Sequence, residues 1–220
     1  YGTGIIGGDL TRSSVITIAI TALGAVKSDQ VIRRSTARVG DAIVVTGNHG
    51  SSYAGLQLLL NPELGADLTE RDRDFLIAAH QRPQPRLDVL PILDELRQSV
   101  SQVIPISGMD SSDGLADAIV QICRASGVGA ILDRSAISIN PSLTQMLPDT
   151  ALESALYGGE DFELVLCLPK PIAAQLVDRL NLGAAIIGTI TQELEILVVD
   201  DINRSSPIDL DLKSGFQHFH

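Results

Sequence analysis

The sequence predicts a mixed α/β fold, of the α/β or α+β class, built around a substantial hydrophobic core. Segments with strand character and segments with helical periodicity follow one another along the chain, without an internal repeat or a low-complexity tract. The chain has 220 residues, of which 45% are hydrophobic, and this length is sufficient for one or two domains. We place a domain boundary near residue 38, where a polar segment ends.

The first segment, residues 1–37, is predicted to contain strand structure and no membrane-spanning element. Small and β-branched residues alternate over residues 15–23, which is typical of a buried strand. This run is too short to cross a bilayer, and the Gly and Asp residues upstream of it are unlike the start of a signal peptide. The chain begins at Tyr1 beside a Gly-rich turn, so we expect it to be the downstream part of a longer protein.

After the boundary, the chain is predicted to form one strand and then three helices. An apolar strand at 42–46 is followed by a polar loop and by a helix that ends at Asn61-Pro62. Thr69 can cap a second helix, which two prolines separate from a third helix at 86–99.

The second half of the chain is predicted to alternate strands with helices. Residues 115–123 and 172–180 carry apolar side chains at three- and four-residue spacing, as expected of helices with one buried face. The predicted strands are 130–133, 162–168, 185–190 and 195–199. Cys123 and Cys167 lie in apolar contexts, so we expect two reduced core residues, which fits a cytoplasmic protein.

The stretch from Met109 to Leu115 is the strongest candidate for a functional site. It reads Met-Asp-Ser-Ser-Asp-Gly-Leu and lies where an apolar, β-branched run gives way to a helix. Carboxylates at a strand-to-helix junction can hold metal ions and phosphate oxygens, with free backbone N–H groups close by. One N-cap residue would suffice to start the helix, whereas Asp110, Ser112 and Asp113 together exceed that need. From this pattern alone, an ordinary helix cap remains an alternative.

Charge and composition narrow the classes of partner. The net charge is −11 and aromatic residues make up 3% of the chain, which argues against nucleic acid and against an anionic membrane surface. A phosphorylated small molecule remains compatible, because bound cations can reverse the local sign of the charge. Asp9 and the pair Glu160-Asp161 each follow two glycines, a pattern that suits either a turn or the close approach of a ligand.

Eight short motifs, taken in order, resemble those of thiamine-monophosphate kinases, in the superfamily of aminoimidazole ribonucleotide synthetase. The motifs are Gly7-Gly8-Asp9-Leu10-Thr11-Arg12, Arg34 with Gly40-Asp41, Thr46-Gly47, Arg82-Pro83-Gln84-Pro85-Arg86, Asp110-Ser111-Ser112-Asp113-Gly114-Leu115, Ser126-Gly127-Val128-Gly129-Ala130, Gly158-Gly159-Glu160-Asp161-Phe162-Glu163-Leu164 and Gly215-Phe216-Gln217-His218-Phe219. The resemblance extends over essentially the whole chain, and the order of the motifs is more specific than any one of them.

The resemblance implies an enzyme that makes thiamine diphosphate from thiamine monophosphate and ATP, with Mg²⁺ as cofactor and ATP as co-substrate. The residues to which it assigns roles are Asp9, Asp110 and Asp113 for Mg²⁺, with Asp110 and Asp113 also catalytic; Arg34 and Ser112 for ATP; and Glu160 and Phe216 for the thiamine end of the substrate. Because the acceptor is a phosphate oxygen that is already largely anionic at neutral pH, the expected reaction is direct transfer without a phosphoenzyme.

The resemblance also implies the architecture. Residues 1–37 would be the tail of an α+β N-terminal domain that binds nucleotide and forms a homodimer. Residues 38–220 would be a C-terminal α/β domain, a mixed sheet with packed helices. Three departures from the family pattern affect the expected site: Leu10 replaces a usual Thr, Ser51 replaces a common Asp, and Phe216 lacks the polar group of a Tyr or Trp.

Two alternatives remain at this point. One is another ATP-using enzyme of the same superfamily: aminoimidazole ribonucleotide synthetase, which usually carries Glu where Asp9 stands, selenide water dikinase, or the hydrogenase-maturation dehydratase. The other is a non-catalytic domain that keeps the fold and binds nucleotide or serves as a partner surface.

Overall fold

The computed structural model describes residues 2–100, 103–180, 183–200 and 207–210. The chain divides into two compact units, Tyr1–Gln30 and Val31–His220, which we describe separately. This division lies upstream of the boundary near residue 38 that the sequence predicts. No helix in the described ranges is long and apolar enough to span a membrane.

The first unit contains neither helix nor strand in its described residues, 2–30. The prediction of a buried strand at 15–23 is therefore wrong for this structure. The side chains of Ile16, Ile18 and Ile20 are 93%, 82% and 88% exposed. A β-branched run favours a strand only when a second strand completes its hydrogen bonds, and residues 2–30 contain no such strand.

The second unit is built on a mixed sheet. Its described strands are β1 (Ala42–Val45), β2 (Ser107–Asp110), β3 (Gly129–Asp133), β4 (Leu164–Leu168), β5 (Ala185–Thr191), β6 (Ile196–Val199) and β7 (Ile208–Asp209). Their order is β2-β4-β1-β5-β3-β6-β7, and neighbours are antiparallel except for the parallel pair β3 and β6. The mixed sheet confirms the predicted fold class.

Helices cover both faces of this sheet. The described helices are α1 (Ser51–Leu60), α2 (Glu70–Gln81), α3 (Val89–Gln98), α4 (Leu115–Ser126), α5 (Pro141–Met146), α6 (Ala151–Tyr157) and α7 (Lys170–Leu180). Because strand side chains alternate, Ile43 and Val45 of β1 pack with α4, whereas Ala42 and Val44 pack with α3 and α7. A separate apolar cluster joins α1 to α2.

Most elements predicted after residue 38 are confirmed, with ends shifted by one to three residues. The predicted strand 162–168 begins only at Leu164, because Phe162 has a φ of +53°, outside the range of a strand. Sequence analysis missed the short helices α5 and α6 and the strand β7. Cys123 and Cys167 are free and buried, as predicted.

The pairing of β1, β2 and β4 brings three loops together at one end of these strands. Asp110 at the end of β2 pairs with Leu164 at the start of β4, and Val45 at the end of β1 pairs with Val165. The loops that follow β1 and β2 therefore lie beside the loop that precedes β4. Each of these loops carries one of the sequence motifs.

Candidate active site

The loop after β2 and the loop before β4 are joined by backbone hydrogen bonds. Ser111 N–H donates to the carbonyl of Glu163 over 2.8 Å, and Glu160 N–H donates to the carbonyl of Ser112 over 2.7 Å. Gly159 makes this approach feasible: its φ is +67°, and a Cβ there would lie 2.9 Å from the Ser112 carbonyl oxygen. The two acidic motifs, far apart in sequence, thus form one surface.

Asp110 and Asp113 present carboxylates that have no partner among the described residues. Asp110 is half-buried and Asp113 is exposed, and neither side chain forms a hydrogen bond or ion pair with a residue that the structure describes. The N-cap of α4 is Gly114, with no side-chain cap, so Asp113 does not serve as the helix cap. The simple capping alternative is therefore wrong.

This pair has the donor chemistry that a hard cation requires. Two unpaired carboxylates close in sequence offer oxygen ligands of the kind preferred by Mg²⁺, which is commonly bound by one or two carboxylates together with substrate phosphates. Across the described residues, no three His, Cys, Asp or Glu side chains are spaced to hold a metal ion. The residues present fit partial coordination of a metal, with phosphate oxygens as the remaining ligands.

One turn of α4 further on, a polar chain links this helix to Arg34. The guanidinium of Arg34 donates to Oε1 of Gln121 over 2.6 Å, and the Gln121 amide donates to Asp117. Burial and the nearby Asp113 carboxylate raise the pKa of Asp117. Arg34 is thereby held on the flank of the helix that begins at the acidic motif. Sequence analysis missed both Asp117 and Gln121.

The side chain of Asp161 caps the N-terminus of α1. Its carboxylate accepts hydrogen bonds from Gly50 N–H over 2.7 Å and from Ser52 N–H over 2.9 Å. Gly50, the N-cap of α1, has no side chain to make these bonds, so a residue from the distant loop makes them instead. Burial raises the pKa of Asp161 to about 6, although the backbone donors oppose this shift.

Glu163 is held in place by hydrogen bonds from two neighbouring side chains. Its carboxylate accepts hydrogen bonds from the Thr46 hydroxyl and from the guanidinium of Arg86. Arg86 also donates to the Thr46 carbonyl and pairs with Asp88 over 2.9 Å. With 14% and 17% of their side chains exposed, Arg86 and Glu163 form a largely buried ion pair. Gly47 adjoins it, since a Cβ there would collide with the Glu163 carboxylate.

His49 lies behind the acidic motif and is fully buried. Its Nε2 lies 3.0 Å from the hydroxyl of Ser111, which itself donates to the carbonyl of Glu163. Since that hydroxyl has one proton, His49 Nε2 is assigned as the donor. Burial lowers the pKa of His49 to about 4, so the ring is neutral at physiological pH.

A cavity of about 400 Å³ opens beside these loops. Its lining includes Gly47 and Asn48 after β1, Arg82 and Gln84 after α2, and Asp161 and Glu163 before β4. Residues from three of the sequence motifs therefore border one cavity, whose size is typical of small-molecule sites.

Of the seven residues assigned from the sequence, five lie in the second unit on or beside these loops. Asp110 ends β2, Ser112, Asp113 and Glu160 lie on the joined loops, and Arg34 lies on the flank of α4. The other two are Asp9, which belongs to the unit described separately, and Phe216, which lies outside the described residues.

The described fold is a mixed α/β domain with a candidate phosphate-binding site at the ends of its strands. The chain belongs to the family described as AIR synthase related protein, C-terminal domain, whose model matches residues 38–200.

Similarity to individual proteins is more specific. The chain is 49% identical to the thiamine-monophosphate kinase of Synechococcus elongatus, over 100% of this chain and 64% of that relative. It is similar to the solved thiamine-monophosphate kinase of Stenotrophomonas maltophilia K279a, with a TM-score of 0.63 and 28% identity over 77% of this chain and 53% of that one. AaThiL complexed with AMPPCP and TMP gives a TM-score of 0.61 and 27% identity, over 81% of this chain and 53% of that one. The resemblance found in the motifs is confirmed.

Proposed function

We propose that this protein transfers the terminal phosphate of ATP to thiamine monophosphate, which yields thiamine diphosphate and ADP. The observation that carries the proposal is the pair of carboxylates of Asp110 and Asp113, which have no partner in the part of the chain that the structure describes and lie beside the Glu160 loop. Support comes from a relative named thiamine-monophosphate kinase, to which the chain is 49% identical. It also comes from AaThiL, which was solved with AMPPCP, a non-hydrolysable analogue of ATP.

The reaction does not require a strong general base. The acceptor is a phosphomonoester, whose second pKa is about 6, so its oxygen is largely anionic at neutral pH. His49 is unsuited to accept a proton, since it is buried, bonded to Ser111 and has a pKa of about 4. The site's task is therefore to hold two polyanions in line for direct transfer.

Charge repulsion is the main obstacle to that approach. Two unit charges about 4 Å apart repel by roughly 1 kcal/mol in water and by several times more in a partly buried site. When bound, Mg²⁺ would offset this repulsion and orient the phosphate oxygens. Asp110 and Asp113 would hold it, and we assign the same role to Asp9 from its motif.

The remaining assigned residues bind the two substrates. Arg34 has the planar guanidinium suited to phosphate oxygens, and Gln121 already orients it. Ser112 would contact ATP from the acidic loop. Glu160 would contact the thiamine end, and Phe216 would pack against its ring.

We also propose the assembly and compartment that the family pattern implies. Residues 1–37 would form the tail of a dimerising N-terminal domain, with residues 38–220 as the C-terminal domain. The exposed β-branched side chains at 15–23 support this, since a strand from elsewhere would bury them. The free thiols of Cys123 and Cys167 support a reducing cytoplasm.

The test is an assay with ATP, Mg²⁺ and thiamine monophosphate in which thiamine diphosphate is separated and quantified. The chain is assayed as it stands and joined to the part of the Synechococcus elongatus relative that the match leaves uncovered. Metal-dependent product in the joined protein would support the proposal. Tight ATP binding without product would overturn it, in favour of a different phosphate acceptor.

A further inference from the structure

A histidine that the sequence motifs do not include lies between the Glu160 loop and α1. His80 is in the last turn of α2, and its Nδ1 lies 3.1 Å from the hydroxyl of Ser52. The same nitrogen lies 3.7 Å from Oε2 of Glu160. A proton on this nitrogen therefore faces a buried hydroxyl on one side and the Glu160 carboxylate on the other.

Close packing of two helices fixes the position of this ring. Gly55 of α1 lies against α2, and a Cβ at Gly55 would lie 3.0 Å from the Cβ of His80 and would collide with the carbonyl of Leu76. Leu76, one turn before His80, is fully buried in the cluster that joins α1 and α2. Only 20% of the His80 side chain is exposed, so the ring has little freedom to move.

The backbone of Glu160 is held just as firmly. Glu160 has a φ of +59°, a conformation that L-residues adopt only at a cost. Its N–H is bonded to the Ser112 carbonyl, and the next residue, Asp161, is bonded to the N-terminus of α1. The side chain, by contrast, is 59% exposed, and its Oε2 lies 3.7 Å from Nδ1 of His80.

We propose that His80 is a positioning residue, which orients the Glu160 carboxylate toward the substrate while Ser52 orients the ring. The inference rests on the proposed function, because Glu160 is the residue assigned to the thiamine end. A long acidic side chain fixed before binding loses less freedom when it meets a cationic or amine-bearing ligand. The effect concerns binding of this substrate, since the polar contacts of His80 among the described residues are with Ser52 and Glu160 and not with Arg34 or Ser112, the residues assigned to ATP.

The experiment compares His80→Phe, which keeps a planar ring between the helices, with His80→Gln, which keeps a polar group. We expect His80→Phe to raise KM for thiamine monophosphate by about 3- to 10-fold, with kcat and KM for ATP unchanged. His80→Gln should restore most of the affinity. Ser52→Ala, which retains the histidine, should shift the same KM in the same direction by a smaller factor, and Arg71→Gln on the exposed start of α2 serves as the control.

Binding of thiamine monophosphate, measured by calorimetry without ATP, distinguishes failure of the proposed function from failure of the positioning role alone. No binding by the unmodified protein would overturn the proposed function and this inference together. Equal binding by the unmodified protein and His80→Phe would overturn the positioning role alone, as would a parallel change in both KM values and kcat. In a Glu160→Gln background, His80→Phe should have no further effect; a full additional loss would contradict the inference.

Discussion

The backbone N–H of Glu160 donates a 2.7 Å hydrogen bond to the carbonyl of Ser112. This bond joins the loop that would recognise the thiamine end to the loop that carries the acidic pair. The residues are separated by almost fifty positions in the chain, and antiparallel pairing of β2 with β4 brings them together. The distance between the two halves of the proposed site therefore depends on this close backbone contact, together with the bond from Ser111 N–H to the Glu163 carbonyl.

Substitution of Gly159 tests that contact. Gly159→Ala places a Cβ against the Ser112 carbonyl, in addition to the strain of a left-handed backbone, which costs about 1–2 kcal/mol. We expect it to reduce turnover by at least about tenfold, because the two loops must separate. The matched control is Gly127→Ala: its φ of +68° carries the same strain, but no atom lies within 4 Å of the added Cβ. Equal turnover by both variants would contradict the role of the contact.

Asp113→Asn separates catalysis from folding. The side chain is exposed and has no partner among the described residues, so we expect the free energy of unfolding to change by less than about 0.5 kcal/mol. Turnover should fall by about 100-fold or more, since the proposed Mg²⁺ site would lose one of its charged ligands. Urea unfolding and a steady-state assay give the two values. Unchanged turnover would remove Asp113 from the site, and Asp178→Asn, an exposed change on α7, should leave both values unaltered.

Arg86→Leu tests the largely buried ion pair between Arg86 and Glu163. The substitution leaves Glu163 largely buried without its cation, and loss of one partner of such a pair costs about 3 kcal/mol. We expect urea unfolding to show a loss of this order, part of which Glu163→Gln should recover when both changes are combined. Arg71→Leu, at an exposed position of α2, is the control and should change stability by less than about 0.5 kcal/mol. A similar small effect for Arg86→Leu would refute the buried pair.

His49 gives the protein a predictable response to acid. Burial lowers its pKa from 6.5 to about 4 in the folded state, so between these values the unfolded chain binds a proton that the folded protein does not. The free energy of unfolding should therefore fall as pH decreases from 6.5 to 4, by up to about 3 kcal/mol from this residue.

The matched variant is His49→Gln, which can still donate a hydrogen bond to Ser111. Asp161, whose pKa is raised to about 6, acts in the opposite direction, since the folded state then binds the extra proton between pH 6 and 3.8. That contribution is common to both proteins and cancels in the comparison. The stability difference between them should narrow as the pH falls, and parallel curves of unfolding free energy against pH would show that His49 is not buried neutral.

The sequence predicted the local parts of this fold and site well. The turn at Asp110 to Asp113 was located because an apolar run and a helical repeat meet there, and both are short-range patterns. The strand at 15–23 was predicted wrongly, since β-branched composition reports a preference and not the presence of a partner strand.

Contacts between distant segments could not be read from local patterns. Asp161 was grouped with Glu160 in a pattern that suits either a turn or the approach of a ligand, and the structure shows it as the acceptor for the N-terminus of α1, about 110 residues earlier. His80 reaches Glu160 only because Gly55 allows α1 and α2 to pack closely. Such contacts depend on tertiary packing, which no spacing in the sequence encodes.

The most direct measurement is the formation of thiamine diphosphate by the joined protein and by its Asp110→Asn variant, with and without Mg²⁺. We expect product only from the unmodified protein with ATP and Mg²⁺, and a correctly folded but inactive variant, as judged by an unchanged urea midpoint. Thiamine diphosphate formed at an equal rate by Asp110→Asn, or formed without a divalent cation, would contradict the assignment of this loop as the phosphate-transfer site.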